Sequence, residues 1–108
     1  MDYYFIREEK LCQEVKVYGF WSACVNPVWV KLAKDQGVRV CSVIGFPLGA
    51  NTLAIKVAEI KQALKDGADE FDVVMNLGWL KMGKEAEIES GIKTVVKAAQ
   101  GRLVKIII

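Results

Sequence analysis

Short apolar stretches alternate along this chain with longer amphipathic ones, and this order constrains the fold more than any other feature. The short stretches predict strands at residues 20–25, at 38–44, between Gly67 and Asn76, and at 103–108. The longer stretches predict helices at about 7–18, 27–37, 52–66 and 84–99. Repeated strand–loop–helix units are typical of a parallel sheet. Two architectures fit: a doubly wound open sheet, or part of an eight-stranded (β/α) barrel, and periodicity does not choose between them.

The connections and helix faces give further expectations. Asn26 precedes Pro27 and is expected to cap the second helix, with proline at its first position. Lys56 is expected to point outward from the third helix, together with Lys61, Gln62 and Lys65. Residues 45–51 and 78–83 are predicted loops. Two glycines around a proline in the first of these loops more often set a turn than an anion cradle.

One strand carries an acid in the middle of an apolar run. Successive side chains of a strand point to opposite faces, so Phe71 and Val73 share one face while Asp72 lies on the other. An acid inside a covered strand costs several kcal/mol unless it is paired. Lys105 occupies the middle of the fourth strand and is the natural partner if the two strands are neighbours. Such a pair can be a core ion pair or can relay a proton.

Composition excludes several classes of function. The net charge of +2 and the interleaved Lys and Glu residues argue against a nucleic-acid surface, and no stretch approaches the length of a membrane span. The N-terminus, Met-Asp-Tyr-Tyr, does not have a signal-peptide pattern. Histidine is absent, which removes Ser-His and Cys-His catalysis and the usual zinc ligand sets. The three cysteines are widely spaced and fit neither a disulfide framework nor a metal site, so we expect a reduced, cytoplasmic protein without a metal.

Four sequence blocks resemble the deoxyribose-phosphate aldolase family. They are Cys-Val-Asn-Pro at 24–27, Val-Ile-Gly-Phe-Pro-Leu-Gly at 43–49, Gly-Ala-Asp-Glu-Phe-Asp-Val-Val-Met-Asn at 67–76 and Leu-Val-Lys-Ile-Ile at 103–107. The resemblance covers residues 9–108 in the family's order. It implies a partial (β/α)8 barrel of about four parallel strands, forming a single domain over residues 1–108 with no internal boundary.

The resemblance also implies a chemistry. The family is a class I aldolase that cleaves 2-deoxyribose 5-phosphate to acetaldehyde and glyceraldehyde 3-phosphate through a lysine Schiff base, without a cofactor or metal. It places proton transfer on Asp72, brings Lys105 into the active site, and puts Cys24 near the aldehyde end of the substrate. Asn26 is expected first as a helix cap and second as a substrate contact. For Cys24, as for Cys12 and Cys41, a buried packing role is the commoner expectation.

Some family features have no counterpart in this sequence. Residues 1–7 do not resemble the family's first strand, and the segments that carry the Schiff-base lysine and the phosphate loops are not matched. We therefore expect the acid–base half of a site and little activity from this chain alone. A second hypothesis is a non-catalytic half-barrel scaffold that forms a homo-oligomer or binds a complementary half. An open-sheet nucleotide-binding module is disfavoured because no glycine-rich phosphate motif follows a strand.

Overall fold

The fold is described by a computed structural model that covers residues 6–108. Helices and strands alternate along almost all of this length. The helices are α1 (Arg7–Tyr18), α2 (Val30–Asp35), α3 (Leu53–Asp66), α4 (Leu77–Lys81) and α5 (Glu85–Ala98), and a 3-10 turn at Pro27–Trp29 precedes α2. The strands are β1 (Ala23–Val25), β2 (Val40–Ile44), β3 (Glu70–Val74) and β4 (Leu103–Ile107).

The four strands form one parallel sheet in the order β1-β2-β3-β4. A doubly wound sheet reverses its strand order at a switch point, whereas successive strands of a (β/α) barrel are neighbours throughout. The observed order has no reversal. The prediction of parallel strands alternating with helices is confirmed, and the topology is that of part of a barrel.

The two faces of the sheet differ in character. One face packs against the helices, and its core includes Val40, Ile44, Phe71 and Val73, all at most 3% exposed. The opposite face carries Cys24, Cys41, Glu70, Asp72 and Lys105, as the strand alternation requires. Since the carboxyl ends of parallel strands lie at one edge of the sheet, the loops that follow the strands meet there.

Two elements differ from the sequence prediction. The first strand begins at Ala23 rather than at residue 20, because Phe20 and Trp21 are exposed and lie outside the sheet. Residues 78–83, predicted as a loop, include most of α4. The side chain of Asn76 begins this helix by accepting a hydrogen bond from the backbone N–H of Trp79 at 3.2 Å.

The predicted outward orientation of Lys56 is wrong. This side chain is 5% exposed, and its Nζ donates a hydrogen bond to the carbonyl oxygen of Val74 at 3.0 Å. Burial lowers the pKa of the Lys56 amine. The long aliphatic stem allows lysine to cross the packed face while its amine reaches the end of β3.

The loop at residues 45–51 forms a tight turn. The backbone N–H of Gly49 donates to Gly45 O at 2.7 Å, and the N–H of Gly45 donates to Glu59 Oε1 at 2.7 Å. A Cβ on Gly49 would lie 2.2 Å from Met75 O, so only glycine fits there. These two amides already bind acceptors, which supports the turn interpretation over an anion cradle.

None of the helices within residues 6–108 is long and apolar enough to cross a membrane. The expectations for the N-terminal segment, including the absence of a signal pattern, fall mostly on residues 1–5, which lie outside the described residues. The assignment of residues 1–108 to one domain stays a prediction.

Candidate active site

An acid and a base on neighbouring strands face each other across the open side of the sheet. Asp72 on β3 and Lys105 on β4 are direct partners in the strand register. Lys105 Nζ lies 3.0 Å from Asp72 Oδ1, and the two side chains are 44% and 21% exposed. This ion pair lacks the alignment of a hydrogen bond, and Oδ1 accepts none from any other described residue. The carboxylate is therefore held in place by the ion pair, with a buried Oδ1 that accepts no hydrogen bond from the described residues.

A second acid, Glu70, holds the amine of Lys105 in position. Its side chain is 1% exposed, and one carboxylate oxygen accepts a hydrogen bond from Lys105 Nζ at 2.7 Å. The other oxygen accepts from Arg39 Nε at 2.6 Å and from Trp21 Nε1 at 2.8 Å. The Arg39 guanidinium also stacks over the Trp21 ring at 4.8 Å. Glu70 thus fixes the amine of Lys105 from one side while Asp72 contacts it from the other.

These contacts shift two pKa values in opposite directions. Burial opposes ionisation of Glu70, but hydrogen bonds from Lys105, Arg39 and Trp21 outweigh it and lower the pKa of the carboxyl to about 2. Burial by itself would lower the pKa of Lys105, yet hydrogen bonding to Glu70 and the adjacent carboxylate of Asp72 raise it above its usual range. At neutral pH, Glu70 is ionised and Lys105 is an ammonium ion.

Two thiols complete this side of the sheet. Cys24 on β1 and Cys41 on β2 are direct register partners. Cys24 Sγ donates to Asp72 Oδ2 at 3.7 Å, and Lys105 Nζ donates to Cys41 Sγ at 3.6 Å. Cys24 is exposed, so the expectation of a buried packing role is wrong for this residue. Cys41 is buried, as expected, but it also contacts the ion pair, whereas Cys12 packs within the helix-facing core.

The predicted substrate-contact residues line one open cleft at the carboxyl edge of the sheet. The cleft includes Cys24, Asn26 and Asp72, together with Arg7 at the start of α1 and Phe46 in the 45–51 loop. Asn26 precedes the 3-10 turn in an extended conformation, but its side chain makes no capping hydrogen bond. Asn26 therefore occupies the predicted N-cap position before Pro27, but its side chain does not cap the turn, and the Asn26 amide is available to the cleft.

The same cluster brings together three atoms of metal-ligating type. Cys24 Sγ, Cys41 Sγ and a carboxylate oxygen of Asp72 lie within 4.8 Å of one another, which their wide sequence spacing did not predict. The Lys105 ammonium contacts both Cys41 and Asp72, and a positive charge at this distance opposes a bound cation. The donor set fits a protonated lysine better than a metal.

Sequence reasoning missed Glu70, Trp21 and Arg39. Glu70 stands two residues before Asp72 and therefore points to the same face, and this periodicity was the available signal. No local sequence pattern indicated a role for Trp21 or Arg39. Trp21 lies before β1 and Arg39 before β2, and only the sheet register brings them to one carboxylate.

Comparisons with known proteins match nearly all of this chain to about half of longer proteins. No protein-family model matches the chain. The deoxyribose-phosphate aldolase of Clostridium botulinum is 53% identical over 103 residues, which cover 92% of this chain and 49% of that protein. A solved structure described as QR15, an aldolase, superimposes with a TM-score of 0.88 at 37% identity, covering 93% of this chain and 46% of that one.

The chain is a relative of the deoxyribose-phosphate aldolases. It spans about half the length of the curated relatives it matches. The aldolase of Aeropyrum pernix, whose structure is described as a unique tetramer, aligns with a TM-score of 0.79 at 39% identity, over 91% of this chain and 43% of that one. The resemblance identified from the four sequence blocks is thereby confirmed, together with the partial-barrel fold.

Proposed function

We propose that this chain supplies the acid–base part of a deoxyribose-phosphate aldolase site. In the proposed reaction, 2-deoxyribose 5-phosphate is cleaved to glyceraldehyde 3-phosphate and acetaldehyde through a Schiff base on a lysine outside this chain. The observation that carries the proposal is the Asp72–Lys105 pair, 3.0 Å apart at matched positions on neighbouring strands. About 50% identity to aldolases over nearly the whole chain supports the choice of reaction.

The geometry favours different roles for the two groups. The raised pKa of Lys105 keeps its proton in place, so its role is to hold Asp72 in position through their ion pair. Asp72 lines the cleft beside the Lys105 ammonium, so it is the group proposed to exchange a proton with the substrate. Cys24 and Asn26 are proposed to contact the substrate from the same cleft.

Assembly with a complementary half tests this proposal. This chain is mixed or coexpressed with the remaining half of the Clostridium botulinum relative, and acetaldehyde release is followed through alcohol dehydrogenase and NADH. We expect activity from the mixture and none from either part. Borohydride trapping should label a lysine of the added half only, and stoichiometric labelling of this chain would contradict the proposal.

Variants then test the assigned residue. Asp72→Asn should lower the rate of an active mixture by about 10²–10⁴-fold, the usual contribution of a positioned acid or base. Asp35→Asn is the matched control, because Asp35 is exposed at the end of α2. Unchanged activity in the Asp72 variant would make this residue structural.

The sheet edges favour a second candidate function, a non-catalytic half-barrel scaffold. Within residues 6–108, β1 and β4 each have one neighbouring strand, and Leu103 on β4 is 51% exposed. Such edges pair readily with another chain. Light scattering tests the scaffold hypothesis: a stable homo-oligomer that remains inactive with the added half would favour it, and a monomer at high concentration would argue against it.

A further inference from the structure

The two thiols of the site are placed where a disulfide can form. Cys24 and Cys41 are Cα partners on adjacent parallel strands, which lie about 4.8 Å apart, and disulfides span Cα separations of about 4.4–6.8 Å. Both side chains point to the open face, and their sulfur atoms lie within 4.8 Å of each other. Side-chain rotation is enough to bring the two sulfurs together, without a change in strand pairing.

The two thiols have unequal environments. Cys24 is exposed and Cys41 is 1% exposed, so a reagent in solution reaches Cys24 first. The Cys41 thiol beside it lowers the pKa of Cys24, against the opposing effects of burial and of the Asp72 charge. In turn, the neighbouring Cys24 and burial raise the pKa of Cys41. Cys24 is therefore the thiol that reacts as a thiolate, while Cys41 keeps its proton.

We propose that Cys24 and Cys41 form an oxidation site for hydroperoxides, with Cys24 as the reacting thiol and Cys41 as the resolving one. The Cys24 thiolate attacks one oxygen of the hydroperoxide; an S–O bond forms, the O–O bond breaks, and the alkoxide or hydroxide leaves and takes a proton from solvent. Sulfur loses two electrons and the peroxide gains them, which leaves a sulfenic acid on Cys24.

The second step closes the disulfide. Once Cys24 is a sulfenic acid, it no longer carries the thiolate charge that helps to hold the proton on Cys41. The Lys105 ammonium, 3.6 Å from Cys41 Sγ, favours the Cys41 thiolate that then forms. This thiolate attacks the Cys24 sulfur; an S–S bond forms, the S–O bond breaks, and hydroxide leaves as water with the proton released by Cys41.

The disulfide rearranges the site around the ion pair. In the reduced chain, Cys24 Sγ contacts Asp72 Oδ2 and Cys41 Sγ contacts Lys105 Nζ. Forming the disulfide moves each sulfur away from its contact. The oxidation state of the thiol pair is thereby coupled to the groups assigned to proton transfer. Cys12 takes no part, since it is fully buried on the opposite, helix-facing side.

Thiol counting with and without hydrogen peroxide tests this site in the 108-residue chain. Free thiols are alkylated in denaturant and counted by mass. We expect the count to fall from three to one on oxidation, with a peptide linking Cys24 to Cys41 and full recovery with dithiothreitol. A count that stays at three, or a disulfide that only joins two chains or involves Cys12, would overturn the proposal.

Three variants assign the two roles. Cys41→Ser should stop at the sulfenic acid on Cys24, which dimedone labels, and Cys24→Ser should keep both of its remaining thiols under the same peroxide dose. Cys12→Ser is the control and should still form the disulfide. Equal dimedone labelling of Cys41 in the Cys24 variant would refute the assigned order. The peptide map of the unaltered chain keeps the test valid should a variant fail to fold.

Discussion

Replacing Glu70 by glutamine tests the ion-pair network most directly. The substitution keeps the shape of the side chain but removes the negative charge that Lys105 and Arg39 share. The pKa of the Glu70 carboxyl falls from its ordinary 4.5 to about 2 in the folded chain. At about 1.4 kcal/mol per pKa unit, this shift corresponds to about 3 kcal/mol of folding free energy.

Solvent reduces the cost of the substitution. The side chains of Lys105 and Arg39 are 44% and 38% exposed, so water compensates part of their lost partner. We therefore expect Glu70→Gln to lower the free energy of unfolding by about 2 kcal/mol at pH 7. Glu89→Gln is the matched control: Glu89 is 70% exposed and pairs with Lys93 on the surface of α5, so the change should stay within about 0.5 kcal/mol.

The pH dependence provides a second measurement of the same charge. Because the pKa of Glu70 is depressed by folding, its contribution to stability is present above about pH 4.5 and is lost as the pH falls towards 2. Urea unfolding followed by circular dichroism should show that the difference in free energy of unfolding between the unaltered chain and the Glu70→Gln variant decreases over this pH range. Equal stability of the Glu70 and Glu89 variants at pH 7 would refute the network as a stabilising feature.

Two further predictions concern packing and burial. Gly49→Ala should destabilise the chain by several kcal/mol more than Gly83→Ala in thermal or urea unfolding, because both glycines have φ near +65° but only a Cβ at residue 49 meets Met75 O, at 2.2 Å; equal losses would exclude the clash. Lys56→Met should weaken the rise in the free energy of unfolding at alkaline pH. Burial lowers the pKa of Lys56 below 10.5, so the unaltered chain gains stability relative to this variant as the pH rises towards 10.5. Lys61→Met is the exposed control and should show no such change.

Strand periodicity predicted which charged side chains lie on the open face of the sheet. Alternation placed Asp72 and Lys105 on strands that a parallel sheet makes neighbours, and their contact at 3.0 Å confirms the predicted pairing. The same alternation also implied Glu70. Its importance was not predicted because the burial of an acid can be expected only when its partners are known. Trp21 and Arg39 bind Glu70 from positions 49 and 31 residues away in the chain.

The sequence by itself determined the order of helices and strands, the parallel sheet and the family resemblance, because these depend on local periodicity and on short blocks of residues. Only the tertiary structure decided which charges and thiols meet. Lys56 turned inward, the side chain of Asn26 made no capping hydrogen bond, and strand register brought together Cys24 and Cys41, which are 17 residues apart in the chain. Periodicity specifies the face on which a side chain lies, but a contact also depends on the pairing of strands, which packing of the whole sheet decides.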